Sequence, residues 1–239
     1  MVESINDLRI KIFADGADLP SMLEMSAKTY IGGLTTNPTL MRKAGITNYR
    51  SFAVETLGLI KHKPISFEVF SDDLDEMMRQ GTEIASWGQN VFVKIPITTT
   101  TGESTDPVIK FLTSKNIKVN VTALMTIDQV ERVSKVLNPR VASYVSVFAG
   151  RIADTGKNPI PIMEESLRIL QSNPCAELIW ASPRELLNII QANEIGCHII
   201  TATNDIIKKL DLLNYSLTKY SLDTVNMFYN DAKESKFAI

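Results

Sequence analysis

Thiols are scarce in this chain. Its 239 residues include 2 cysteines, Cys175 and Cys197, whose spacing forms neither a metal-binding nor a redox pair. So few thiols fit a reducing compartment better than a disulfide-stapled secreted domain. Charge of one sign is lacking too: 25 basic residues stand against 27 acidic ones, for a net charge of −2. That balance gives no footprint for nucleic acid or an anionic membrane. No stretch approaches the roughly 20 apolar residues of a membrane span. The segment from Met1 to Lys11 is acidic and polar, without the apolar centre of a secretory signal. Low-complexity runs and linkers are missing as well. The expectation is one cytoplasmic domain over residues 1–239, a length that suits a single α/β barrel.

What is present is an alternation. Eight short apolar, β-branched runs read as strands: Ile10 to Ala14, Ile31 to Thr35, Ile65 to Phe70, Val91 to Ile95, Ile117 to Thr122, Val141 to Phe148, Glu177 to Ala181, and His198 to Thr201. Helical patterns lie between them. Asp73 to Trp87 opens with acids and carries Leu74, Met77, Met78, Ile84 and Ala85. Thr126 to Leu137 starts on an N-cap type and keeps Ile127, Val130, Val133 and Val136 on one stripe. Ile160 to Leu170 and Pro183 to Ala192 read the same way, with Pro183 suited to a first turn. Leu217 to Ala232 forms an additional amphipathic helix at the C-terminal end. Strands alternating with helices imply parallel pairing and right-handed crossovers. Eight units predict an α/β fold, a closed (β/α)8 barrel with an appended C-terminal helix. The competing open sheet would carry a Gly-rich phosphate loop after its first strand, and Asp15-Gly16-Ala17-Asp18 is not one.

The strands also break a rule. Strands buried on both faces should be nearly continuous Val, Ile and Leu. Here polar residues recur near the C-terminal ends: Asp15, Asn37 just past strand two, Glu68, Lys94, Asn120 with Thr122, Ser146, and Ser182. In a barrel these ends converge on one face, where barrel active sites are built. Strand parity agrees, since Asn120 and Thr122 share one face while Val119 and Val121 share the other. A ring of polar groups that includes one lysine and two acids is costly as packing.

Each residue has a plainer reading beside the functional one. Lys94, in Val91-Phe92-Val93-Lys94-Ile95-Pro96, is either a lysine snorkelling to solvent or a desolvated amine. Burial penalises an ammonium, and attack on a ketone requires a neutral amine. Glu68 and Asp15 are either ion-pair partners of that lysine or proton carriers. Arg151 follows strand six after Gly150, as a surface residue or as a phosphate ligand. Ser182-Pro183-Arg184 lies at a strand-to-helix junction, where anions are favoured. Asn120-Val121-Thr122 matches a glycosylation sequon, but its place in a strand makes that reading negligible.

Five segments together resemble the transaldolase family in its short form, which is similar to the fructose-6-phosphate aldolases. They are Phe13-Ala14-Asp15; Gly33-Leu34-Thr35-Thr36-Asn37-Pro38-Thr39; Phe92-Val93-Lys94-Ile95-Pro96; Asn120-Val121-Thr122-Ala123; and the run from Ser146 to Asp154. The resemblance implies that Lys94 forms a Schiff base with a ketose phosphate. It implies Glu68 and Thr122, with a water, as proton carriers, and Asp15 as the base that releases the aldose. It implies Asn37, Asn120 and Ser146 around a three-carbon unit, and Arg151 on the phosphate. No cofactor or metal is called for, sugar phosphates are the partners, and a homo-oligomer is expected. Pentose phosphate metabolism is the usual setting of such chemistry.

The resembling transaldolases carry Glu on strand three and Phe after strand six, where the aldolases tend to carry Gln and Tyr. Glu68 and Phe148 therefore favour group transfer over release of free dihydroxyacetone. A non-catalytic barrel that binds sugar phosphates is the third reading. One region departs from the family: Ala181-Ser182 run straight into Pro183-Arg184-Glu185, where several more residues are usual. Arg184 is thus open between a second phosphate ligand and a helix-surface residue.

Overall fold

The computed structural model describes residues 2–235. Eight strands, β1 (Lys11–Asp15), β2 (Ile31–Thr35), β3 (Ile65–Glu68), β4 (Val91–Pro96), β5 (Val119–Leu124), β6 (Ser143–Val147), β7 (Ala176–Trp180) and β8 (Ile199–Thr203), pair in chain order and close on themselves. Every pairing is parallel. Helices fill the crossovers: α1 (Leu19–Ala27), α2 (Pro38–Lys43), α3 (Tyr49–Leu59), α4 (Leu74–Ala85), α5 (Asp106–Ser114), α6 (Ile127–Val136), α7 (Ala149–Asp154), α8 (Ile160–Leu170) and α9 (Leu187–Glu194); α10 (Asn204–Lys208) follows β8. The last helix, α11 (Leu217–Glu234), buries none of its residues. The fold is the expected (β/α)8 barrel with surrounding helices.

Local chemistry sets most boundaries. Asp18, Asn37, Asn48, Asp73 and Thr126 each cap a helix by accepting a backbone N–H from three residues on. Thr126 and Gln129 complete a reciprocal capping box. Strand β5 starts at Val119, not at Ile117, because Asn116 adopts a left-handed φ of 60° and the Ile117 N–H closes on the Leu112 carbonyl as α5 ends. The expected helix from Pro183 is a correction: α9 begins at Leu187. Ser182 takes a left-handed φ of 61°, and the Asn188 side chain accepts from the N–H groups of Arg184 and Glu185. Those residues form a capped loop instead of a first turn.

Parity divides the core in two. Strand residues of one phase, such as Val93, Ile95, Val121, Val145 and Leu178, face the helices. The other phase fills the barrel interior, where Phe13, Phe92, Tyr144, Ile179, Ala181 and Ile199 form a separate cluster. Phe92 stacks on Tyr144 with centroids 4.0 Å apart, and Phe13 meets Tyr144 edge-on at 5.6 Å. Gly33 makes room for this floor, since a Cβ there would lie 2.6 Å from the Phe13 ring. Burying each ring contributes about 1.5–3 kcal/mol.

Candidate active site

Lys94 shares its strand phase with Phe92, so its side chain rises inside the barrel above the aromatic floor. Register brings Glu68 of β3, Lys94 of β4 and Asn120 of β5 directly side by side. The lysine is buried, with 7% of its surface exposed, which rules out the snorkelling alternative. Its Nζ lies 3.2 Å from Glu68 Oε2 and donates to the Thr36 carbonyl at 3.0 Å. Glu68 is in turn fixed by Tyr49, whose hydroxyl donates to the Glu68 carbonyl at 3.0 Å. Burial pushes that phenol up, so Tyr49 remains a donor.

Asp15 ends β1 on the far side of the ring. Thr35 Oγ1 donates to one of its oxygens at 2.8 Å, and Asn37 Nδ2 to the other at 3.3 Å. Burial nonetheless raises its carboxyl above the ordinary value; the charge of Lys94 and these two donors offset that only in part. Asn37 has a second task, because its Oδ1 accepts from Leu40 N and caps α2. Asn120 lies between two hydroxyls: its Nδ2 donates to Ser66 at 3.0 Å, and Ser146 donates to its Oδ1 at 2.7 Å. Thr122 is 2% exposed, and its hydroxyl has no partner among the described residues. Beside it, Ala123 takes a left-handed φ of 66° where the β5–β6 register slips. The left-handed backbone and the unpartnered hydroxyl thus lie side by side at one break in the ladder.

The rim supplies cations. Arg151 leaves α7 with its guanidinium carbon 5.8 Å from the Phe148 ring centre. Gly150 packs against the Ser182 backbone so closely that a Cβ would fall 1.5 Å from the Ser182 carbonyl oxygen. Only glycine permits this approach, and it clamps the short loop after β7. Arg184, from that loop, donates Nε to Asp154 Oδ1 at 2.9 Å and Nη2 to Asp154 Oδ2.

All eleven residues singled out in the sequence line one cavity of about 640 Å³: Asp15, Asn37, Glu68, Lys94, Asn120, Thr122, Ser146, Phe148, Arg151, Ser182 and Arg184. Sequence reading did not single out Thr35, Ser66 or Thr201. Thr35 and Thr201 share a 2.6 Å hydroxyl contact under Asp15. Two-residue parity with Glu68 is the signal that could have found Ser66, and parity with Ile199 the one that could have found Thr201. The Thr36 carbonyl, being backbone, left no such signal.

The model of the family described as transaldolase/fructose-6-phosphate aldolase matches residues 12–239. The chain belongs to this family. It is 32% identical over 218 residues to a protein of Thermoanaerobacter sp. (strain X514) named probable transaldolase, covering 90% of this chain and 94% of that one. A Clostridium acetobutylicum protein of the same name is 33% identical over 230 residues, covering 95% and 99%. Among solved structures, a HpcH/HpaI aldolase/citrate lyase family protein from Burkholderia cenocepacia superposes with a TM-score of 0.58 at 13% identity, over 91% of this chain and 95% of that one. A 3-keto-L-gulonate-6-phosphate decarboxylase from Vibrio cholerae gives 0.56 at 10% identity, over 85% and 97%. Likeness at that level shows the fold alone.

Proposed function

We propose that this chain is a class I transaldolase that moves a dihydroxyacetone unit from a ketose phosphate to an aldose phosphate through a Schiff base on Lys94. The observation that carries this is a buried lysine inside the barrel mouth, in contact with Glu68 at 3.2 Å and within the electrostatic reach of Asp15. A lysine placed only for packing would not share its cavity with two carboxyls and an unsatisfied hydroxyl.

Each residue then has a role. The Lys94 amine, after giving its proton to Glu68, attacks C2 of the ketose. A water on the free Thr122 hydroxyl carries protons between Glu68 and the carbinolamine, which loses water to give an iminium. Asp15 takes the proton of the C4 hydroxyl. The C3–C4 bond breaks, its electrons move to the iminium nitrogen, and an aldose phosphate leaves. The raised carboxyl of Asp15 brings its proton affinity nearer that of its task. Asn37, Asn120 and Ser146 hold the hydroxyls of the three-carbon enamine, which attacks the next aldehyde. Arg151, with Ser182 and Arg184 beside it, receives the phosphate.

Fructose 6-phosphate supplied with and without erythrose 4-phosphate tests the reading. Sedoheptulose 7-phosphate formed only with the acceptor is the expected result. Free dihydroxyacetone released at the same rate without an acceptor would make the chain an aldolase.

Assembly is part of the proposal. Helix α11 presents Leu217, Leu222, Val225, Phe228 and Tyr229 at 59–83% exposure. A helix with that surface suits a second copy of this chain. Removing residues from Leu217 onward should lower the mass measured by light scattering to that of a smaller species. An unchanged mass would contradict it. Among the described residues no helix is long and apolar enough to cross a membrane, and the proposed setting is the cytoplasm.

A further inference from the structure

Among the described residues three cations line the cavity, and two of them are already matched. Lys94 faces Glu68, and Arg184 faces Asp154 through both Nε and Nη2. Arg151 has no ion pair among the described residues. Asp154 lies three residues beyond Arg151 on α7, on the same helical face, and both arginines hold its carboxyl below the usual range, Arg184 foremost. The backbone carrying Arg184 is not free to shift. Gly150 clamps it at Ser182, and Asn188 caps it at Arg184 N. The Arg184 side chain therefore chooses between Asp154 and whatever anion enters the cavity. Asp154 occupies the Nε–Nη2 edge, one of the two edges by which a guanidinium takes a phosphate bidentately. The pair is about half exposed, 46% and 52% for the two side chains, so it can open.

We propose that Asp154 is a specificity-determining residue: by holding Arg184, it weakens the grip on phosphate and narrows the preference for phosphorylated over unphosphorylated aldehydes. This rests on the transaldolase reading for the identity of the aldehydes, but not for the competition itself. Phosphate entering the site must draw Arg184 away from a carboxylate that repels the incoming anion. An unphosphorylated sugar meets neither obstacle.

The test begins with inorganic phosphate, whose binding needs no turnover. Calorimetric titration at low salt compares the wild type with Asp154→Asn, Asp154→Ser, Arg184→Gln and the double variant Asp154→Asn/Arg184→Gln. Removing the carboxylate should tighten phosphate about two- to fivefold, the range of an exposed ion pair. Arg184→Gln should cancel that gain in the double variant. In turnover, Asp154→Asn should raise the kcat/KM ratio of glyceraldehyde 3-phosphate over glyceraldehyde by a similar factor. The value for glyceraldehyde itself should stay unchanged. Phosphate binding that is unchanged or weaker in both Asp154 variants would overturn the proposal, since Asp154 would then be steering Arg184 toward the anion. A gain that survives in the double variant would overturn it too. A protein that binds phosphate as expected but turns over neither aldehyde would instead count against the catalytic reading.

Discussion

At the floor of the barrel Phe92 stacks on Tyr144 and Phe13 meets it edge-on; two residues further along the same strands stand Lys94, Ser146 and Asp15. Both layers face the same interior. The lower one excludes water and contributes packing, while the upper one holds an amine, two carboxyls and a set of hydroxyls. The barrel mouth thus keeps polar groups that a purely structural design would have made aliphatic, and the aromatic floor offsets their desolvation. Stability and chemistry are separated by one pleat of each strand.

That separation can be broken from either side. The largest effect should come from Lys94→Met, which removes the proposed nucleophile and should lower kcat by about ten-thousand-fold or more, measured by coupled assay. Phe92→Ala, one pleat below, should do the reverse. It should cost about 3–5 kcal/mol of stability, seen as a Tm lower by about 10 °C, with kcat kept within a few-fold at a temperature where the protein stays folded. A Phe92→Ala variant that is stable but inactive would mean the layers are not independent.

Asp15→Asn sharpens the comparison because it should move the two properties in opposite directions. Loss of the proposed base should lower kcat by about 10²–10³-fold. Because burial raises the Asp15 carboxyl, the folded wild type holds this proton more tightly than the unfolded chain does. Its favourable contribution is present at low pH and is lost as pH rises through the folded value. At pH 7 the Asn variant should therefore melt on the order of 2 °C higher, and the difference should fade as the pH falls toward 4. An Asn variant that melts lower at pH 7 would mean the Thr35 and Asn37 hydrogen bonds outweigh desolvation. The smallest effect belongs to Ser146→Ala. It leaves Asn120 Oδ1 without its 2.7 Å donor, at about 1–2 kcal/mol, and should raise KM for the ketose several-fold with kcat little changed.

Much of this was legible in the chain because two signals reinforce each other. Apolar runs at barrel spacing gave the strands, and polar residues at one end of each gave the mouth. Register does the rest: once β3, β4 and β5 pair in parallel, Glu68, Lys94 and Asn120 must be neighbours. What stayed hidden depends on contacts distant in sequence. The loop at Ser182 reads as a helix start, and it is turned aside by the approach of Gly150 from the preceding unit. Arg184 reads as either a phosphate ligand or a surface residue; its pairing with Asp154, thirty residues away, is a third arrangement. The Thr122 hydroxyl, unpartnered among the described residues, stands beside a slip in the β5–β6 register that no residue pattern announces.

The most direct measurement is borohydride reduction of the protein in the presence of fructose 6-phosphate, followed by peptide mass spectrometry. A reduced three-carbon adduct on the peptide carrying Lys94, absent from Lys94→Met, is the predicted result. No adduct, or an adduct on another lysine with Lys94 unmodified, would contradict the role given to this amine.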